Sequence, residues 1–273
     1  MGNIFTAGLF RQMFRSATPV ALAAMGGAMT EHAGIMNIGM DGMILMGAFT
    51  AVAVSILTGS AFFGTLAAIL GGILAGGLTT FLLWALFHVR GTVRTDYGLP
   101  TVNLGILGKI PFIGEIISGN SLFVYVTVAL VFLMWALVYR TPLGFWIRAA
   151  GEHPGALRTA GINPEKMKWL SSTICGAFCG LSGAQLALGN VTMFSENMSN
   201  SRGYVAFACG IFGGANPRKA YLAALMFGFF DALGYRLQEY NISSNLTSMI
   251  PYVITVCMMV YVVVRSNRKK KAA

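Results

Sequence analysis

Four stretches of this 273-residue chain carry no Asp, Glu, Lys or Arg: residues 42–87, 116–139, 169–195 and 240–264. Each is long enough for at least one helix of the roughly 20 residues that a bilayer core demands. Polar positions gather in the gaps. The longest interruption is 140–168, RTPLGFWIRAAGEHPGALRTAGINPEKMK, with five basic residues (Arg140, Arg148, Arg158, Lys166, Lys168) and two acids (Glu152, Glu165). A second basic cluster, RSNRKKK, occupies 265–271. The pattern predicts an all-α, polytopic transmembrane helix bundle of about eight membrane segments, some short or broken. It forms a single domain, 1–273, with 140–168 as a loop inside it.

Lys and Arg beside short loops resist translocation, so 140–168 and the C-terminus are expected in the cytoplasm. From that loop 169–189 crosses outward. The next loop, 190–203, is nearly neutral, with Glu196 and Arg202. Residues 204–214 return and end at Gly213-Gly214-Ala215-Asn216-Pro217, before Arg218 and Lys219. Residues 220–235 go out again and 249–264 come back. The ordered, basic 140–168 loop predicts a soluble partner on the cytoplasmic side.

Composition agrees with this class. The chain is 56% hydrophobic and 10% charged, against about 25% charged in soluble domains, and its mean hydropathy is +0.69. A net charge of +10 suggests nucleic acid in a soluble protein, but here the basic residues sit in the loop and tail. That placement fits topology and anionic headgroups, and no nucleic acid is expected. The N-terminus lacks the continuous apolar region and cleavage site of a secretory signal. Cys175 and Cys179 share a helix face without metal-ligand spacing. Cys209 and Cys257 also lie in apolar runs. The histidines (His32, His88, His153) are isolated, and no HExxH or GxSxG pattern occurs. No metal, cofactor or catalytic residue is therefore expected, and an enzyme is disfavoured.

Two breaks interrupt the apolar pattern. In 204–235, Gly-Gly and Asn-Pro separate two short apolar pieces. Pro removes an N–H donor and pushes the preceding residue out of helical geometry. The break marks either a transport pathway or a tight helical hairpin. The other break, Asn37-Ile38-Gly39-Met40-Asp41-Gly42-Met43, puts an acid near membrane depth. Such an acid is a functional candidate, or else the cap of the helix that follows it. Asp231 poses the same question, and Glu31-His32 reads as a polar turn between helices. Candidate pathway residues are Asn37, Asp41, Phe194, Asn197, Phe207 and Asp231, polar or aromatic groups near the breaks. Phe194 and Phe207 could stack on a purine or pyrimidine. Gly72/Gly76 and Gly176/Gly180 have the spacing that lets membrane helices approach closely.

Three segments carry a resemblance. They are ATPVALAAMGGAMTEHAGIMNIGMDGMILMGAF (17–49), YRTPLGFWIRAAGEHPGALRTAGI (139–162) and FSENMSNSRGYVAFACGIFGGANPRKAYLAALMFGFFDALGYRLQ (194–238). Together they resemble the permease subunit of bacterial ABC importers, in the branch for branched-chain amino acids, ribose and nucleosides. They are most similar to the shorter permease of nucleoside or simple-sugar systems. The resemblance implies the ABC importer permease fold in the bacterial inner membrane. It implies three partners: a cytoplasmic ABC ATPase that binds the ATP, a second permease (homologous and different), and an extracytoplasmic substrate-binding protein. It also makes 140–168 a coupling element, begun by Glu152 and Pro154 and ended by Gly161. Arg148, Gly151, Glu152, Pro154, Ala156, Ala160 and Gly161 are then the expected contact residues.

One region departs from the family pattern. FHVRGTVRTDYGLPTVNLGILGKIPFIGEIISGNS (87–121) resembles the family's outer loop near its end, but the preceding crossing is missing. Either 96–118 is a re-entrant passage or the chain has lost a helix. If no crossing exists there, Arg90 and Arg94 lie outside. Two alternatives therefore stand beside the importer permease. One is a degenerate or assembly-only subunit. The other is a stand-alone secondary transporter, which would not need the 140–168 loop.

Overall fold

An Ala-, Gly- and Met-rich stretch, good helix formers apart from its glycines, folds as one helix, α1 (Ala7–His32), in the computed structural model of the protein. The structure describes residues 7–35, 37–86, 93–102, 119–195 and 198–238, with Met249 and Val253; for 75–86, 93 and 102 it describes the backbone only. Every residue of α1 from Ala17 to Thr30 is buried, so this helix is the axis of the bundle. Around it stand α2 (Met40–Thr58), α3 (Ala61–Leu86), α4 (Leu122–Arg140), α5 (Pro142–Glu152), α6 (Pro154–Thr159), α7 (Pro164–Ala184), α8 (Arg202–Gly213) and α9 (Pro217–Gln238). A π-helical turn, Gln185–Asn190, extends α7. The fold is mostly helical. Among the described residues, Met40–Thr58, Leu122–Arg140 and Pro164–Asn190 are long and apolar enough to cross a membrane.

Proline places the helix starts. Pro142, Pro154, Pro164 and Pro217 open α5, α6, α7 and α9, where the missing N–H has no intrahelical partner to lose. Thr141 accepts from the Gly144 N–H and Asn163 from the Glu165 N–H, satisfying two further donors.

The bundle is fastened by hydroxyls and by missing side chains. Ser171 Oγ donates to the Met29 carbonyl at 2.6 Å and Ser182 Oγ to the Pro19 carbonyl at 2.7 Å, both buried. These two bonds pin α7 antiparallel to α1; such bonds average about 0.6 kcal/mol in membrane bundles. Gly47 of α2 and Gly72 of α3 both lie against Gly180 of α7, where a Cβ would overlap the facing backbone. Gly176 and Gly180 thus pack as closely as their spacing predicts, as does Gly72 of the pair Gly72/Gly76; for Gly76 only the backbone is described.

His32 ends α1 beside Gly151, at the end of the bundle that carries 140–168, called here the near end. Residues 93–102 lie at the opposite, far end. There β1 (Val93–Arg94) pairs antiparallel with β4 (Met193–Phe194), and β2 (Thr101–Val102) with β3 (Asn120–Ser121). Arg94 is therefore at the far end, away from the basic loop. Of 96–118, read as a re-entrant passage or the place of a lost helix, residues 96–102 lie at the far end, while 103–118 and Arg90 lie outside the described residues; β2 and β3 hold the flanks of 103–118 together.

The 204–235 break is a helical hairpin. Gly214 and Ala215 both take left-handed backbone (φ 56° and 57°), Asn216 Oδ1 accepts from the Arg218 N–H, and Gly213 packs on Ala220. Arg218 then stacks 3.5 Å from the ring centre of Trp135 in α4, fixing this turn at the near end. Yet α8 has only 12 residues, about 18 Å of rise. Its N-terminus is therefore inside the bundle's thickness.

Candidate functional site

The first break is a climbing loop. Gly34, in left-handed conformation (φ 73°), closes α1: its N–H reaches the Glu31 carbonyl, and the Ile35 N–H reaches that of Thr30. This is the glycine-ended helix stop expected of such a sequence. Glu31 and His32 thus form the last turn of α1 rather than a turn between helices. Three residues on, Asn37 has reached α7, and its Nδ2 donates to Cys175 Sγ at 3.3 Å. Cys175 is about 16 Å along α7 from Pro164. The loop therefore ends near mid-depth, where α2 begins. Asn37 Oδ1 also accepts from the Gly39 N–H at 3.0 Å, shaping that start.

Asp41 does not cap its own helix. Gly39 holds the cap position of α2 with no side-chain bond. The Asp41 carboxylate reaches across instead, accepting from the Gly203 N–H at 2.9 Å and from Ser199 Oγ at 3.0 Å. It thereby caps α8, where a negative charge is favoured at the positive end of the helix dipole. The first residue of α8, Arg202, places its guanidinium 3.9 Å from Asp231 of α9; both side chains are largely buried. Asn37, Asp41, Arg202 and Asp231 thus form a polar string through the middle of the bundle. At the far end it meets a cavity of about 780 Å³ lined by Arg11, Arg15, Asn190, Asn200, Arg202 and Tyr235.

The remaining pathway candidates stand apart. Phe194 is buried and packs edge-on against Phe49, with ring centres 5.4 Å apart. Phe207 is half-buried against the cluster shared by α1, α8 and α9. Asn197 lies outside the described residues. The sequence did not single out Ser199 or Gly203, and it marked Cys175 only as one of a pair on a helix face, not as a partner for Asn37. A Ser-Asn-Ser-Arg-Gly start before an apolar helix signals a need for capping, but its acceptor is 162 positions away.

The near-end loop divides its candidates into two sets. Arg148 stacks 5.0 Å from the Tyr139 ring centre, and Gly151 meets the backbone of His32, Ala33 and Gly34. These two face inward. Glu152, Pro154, Ala156, Ala160 and Gly161 are exposed. Glu152 closes α5 rather than opening α6, with His153 as the joint. Leu157 alone in α6 is buried, as its anchor. Gly161 (φ 80°) ends α6 as expected, with its N–H bonded to the Arg158 carbonyl and that of Ile162 to the Leu157 carbonyl. The exposed Arg158–Glu165 pair at 3.3 Å contributes little to stability.

The sequence pattern of permease components of branched-chain amino acid transport systems matches residues 102–259. This chain belongs to that family. It is 29% identical to the guanosine ABC transporter permease protein NupQ of Bacillus subtilis, over 93% of this chain and 91% of that one. It is likewise 29% identical to the nucleoside ABC transporter permease protein NupC of Lactococcus lactis, over 89% and 88%. The fructose import permease protein FrcC of Rhizobium meliloti is 34% identical over 44% of this chain and 35% of its own. No solved structure matches the chain. The family permease is a multi-pass membrane transport subunit, not an enzyme. Membership implies an ATPase and a substrate-binding protein as partners.

Proposed function

We propose that this chain is one of two permease subunits of an ATP-driven importer for nucleosides, with simple sugars the neighbouring class. Near-full-length likeness to guanosine and nucleoside permeases supports the substrate class. In this reading the near end faces the cytoplasm, the far end faces out, and the C-terminus is cytoplasmic. About eight membrane segments make up the single domain.

The observation that carries the coupling role is α6, six residues long and exposed except for Leu157, projecting from the near end. Glu152, Pro154, Ala156, Ala160 and Gly161 form its docking surface for the ATPase. Arg148 and Gly151 pass motion inward, because they stand on Tyr139 and on the end of α1. The path leads from the far-end cavity past Arg202 and Asp231 to Asp41 and Asn37, with Phe207 alongside. Closure of the ATPases on ATP rocks the paired permeases between outward-open and inward-open states; this chain performs no hydrolysis.

Uptake of labelled guanosine, uridine and fructose by cells carrying the whole transporter, with and without this gene, tests the reading. Gene-dependent nucleoside uptake is expected. Sugar uptake alone would transfer the substrate to the neighbouring class, and ion-driven uptake without an ATPase would overturn the proposal.

A further inference from the structure

Two arginines share one indole at the near end. Arg218, at the start of α9, lies 3.5 Å from the ring centre of Trp135, and Arg140, the last residue of α4, lies 5.4 Å from it. The two guanidiniums are therefore at most about 9 Å apart, and both residues are exposed. A cation at a helix end ordinarily stretches into water. These two fold back on to a single ring, which brings like charges together. Stacking occupies the face of a guanidinium and leaves the N–H groups of its edge, a fork that fits phosphate oxygens. Among the described residues neither arginine has a carboxylate within ion-pair reach.

The whole sequence holds nine acids, and none is placed to neutralise the pair. Asp41, Asp96 and Asp231 lie at depth or at the far end. Glu165 pairs with Arg158, and Glu31 and Glu152 stand in the last turns of α1 and α5 without meeting either arginine. Glu115, Glu196 and Glu239, outside the described residues, are tethered within four residues of far-end positions. That is about 14 Å of chain at most, whereas α4 alone is about 28 Å long. Residues 240–273 contain five cations and no acid. The missing anion comes from outside the chain.

Deeper on the same two helices the exposed side chains turn apolar. Phe132, whose ring centre is 5.4 Å from the Arg218 guanidinium, is 56% exposed, and Leu222, one turn along α9 from Arg218, is 64% exposed. Helix α4 is itself long and apolar enough to cross a membrane. Arginine outermost, tryptophan next and apolar side chains beneath is the order of headgroup, interface and acyl chain in a bilayer. A free phosphate or an acidic protein segment has no use for the apolar step.

We propose that Arg140 and Arg218, across Trp135, hold the phosphate of an anionic phospholipid whose chains lie on Phe132 and Leu222, tying the α8–α9 hairpin to α4. The proposal rests on the chain's place in the membrane and not on the substrate or coupling proposed above, so either can fail without the other. Native mass spectrometry of the assembled transporter in detergent tests it, with phosphatidylglycerol and phosphatidylethanolamine offered in equal amounts. The unaltered transporter should retain phosphatidylglycerol preferentially. Arg140→Gln combined with Arg218→Gln should lower that retention by about tenfold or more. Lys166→Gln combined with Lys168→Gln removes the same charge from the near end away from Trp135, and should leave retention unchanged. Arg140→Gln alone, at an exposed helix end, should give a partial loss, and it keeps the comparison readable should the double variant fail to assemble. Equal loss in the lysine variant, no preference for phosphatidylglycerol, or binding of free glycerol phosphate as tight as that of the lipid would each overturn the proposal. So would unchanged lipid retention with release of the ATPase, which would make the arginines a protein contact.

Discussion

Asp41 accepts the backbone N–H of Gly203 at 2.9 Å, and so joins the start of α2 to the start of α8 within the thickness of the bundle. Two helices that begin at depth leave donors unpaired, and this carboxylate serves the second of them. Removing it strands the Gly203 N–H and the Ser199 hydroxyl. Asp41→Ala should lower stability by about 1–2 kcal/mol, as for other lost caps, and depress uptake. Asp41→Asn, which keeps an acceptor, should retain most of both. Thermal unfolding of the detergent-solubilised transporter and an uptake assay check the pair of variants.

Arg202 and Asp231 are largely buried partners at 3.9 Å. Removing one leaves the other charge uncompensated, which typically costs about 3–5 kcal/mol in a buried pair. Arg202→Ala and Asp231→Ala should each reduce folded protein sharply. The double variant should be less damaged than the sum of the two, and a double-mutant cycle in thermal stability measures that coupling.

Gly151 and Gly161 are both glycines of the near-end loop, yet they should fail differently. Gly151→Val drives a side chain into the His32 carbonyl and the Gly34 N–H, so the yield of folded, membrane-inserted protein should fall. Replacing Glu152 and Gly161 together should leave insertion and permease pairing intact and abolish uptake. Quantitative membrane blots beside uptake separate the two outcomes; normal uptake in the double variant would remove the coupling role.

Gly180 receives both Gly47 and Gly72. Gly180→Leu overpacks two contacts at once, at roughly 1–3 kcal/mol or more. It should lower the unfolding temperature far more than Ala156→Leu, which adds the same bulk to an exposed position.

Local chemistry made much of this legible from sequence. Pro154 and Gly161 bound α6 because one lacks an N–H and the other tolerates left-handed backbone. Gly-Gly-Ala-Asn-Pro bends α8 onto α9 for similar reasons. The partners of Asp41 were not legible, because the Gly203 N–H is 162 positions away and only the packing of α8 against α2 brings it near. The split of the loop candidates was hidden as well. Arg148, Gly151 and Glu152 are close in sequence, and which of them turns inward depends on how α5 lies on α1. Arg94 reads as a cytoplasmic residue by charge alone; its pairing with Met193 is what holds it at the far end.

Gly34 stands against Gly151 with no side chain between them. Most joints between helices pass through side chains that absorb displacement by changing rotamer. Two touching backbones have no such slack, so this joint behaves like a gear without backlash. In the proposed coupling, a tilt of α5 enters the chain three residues before Asn37 through backbone rather than through a side chain.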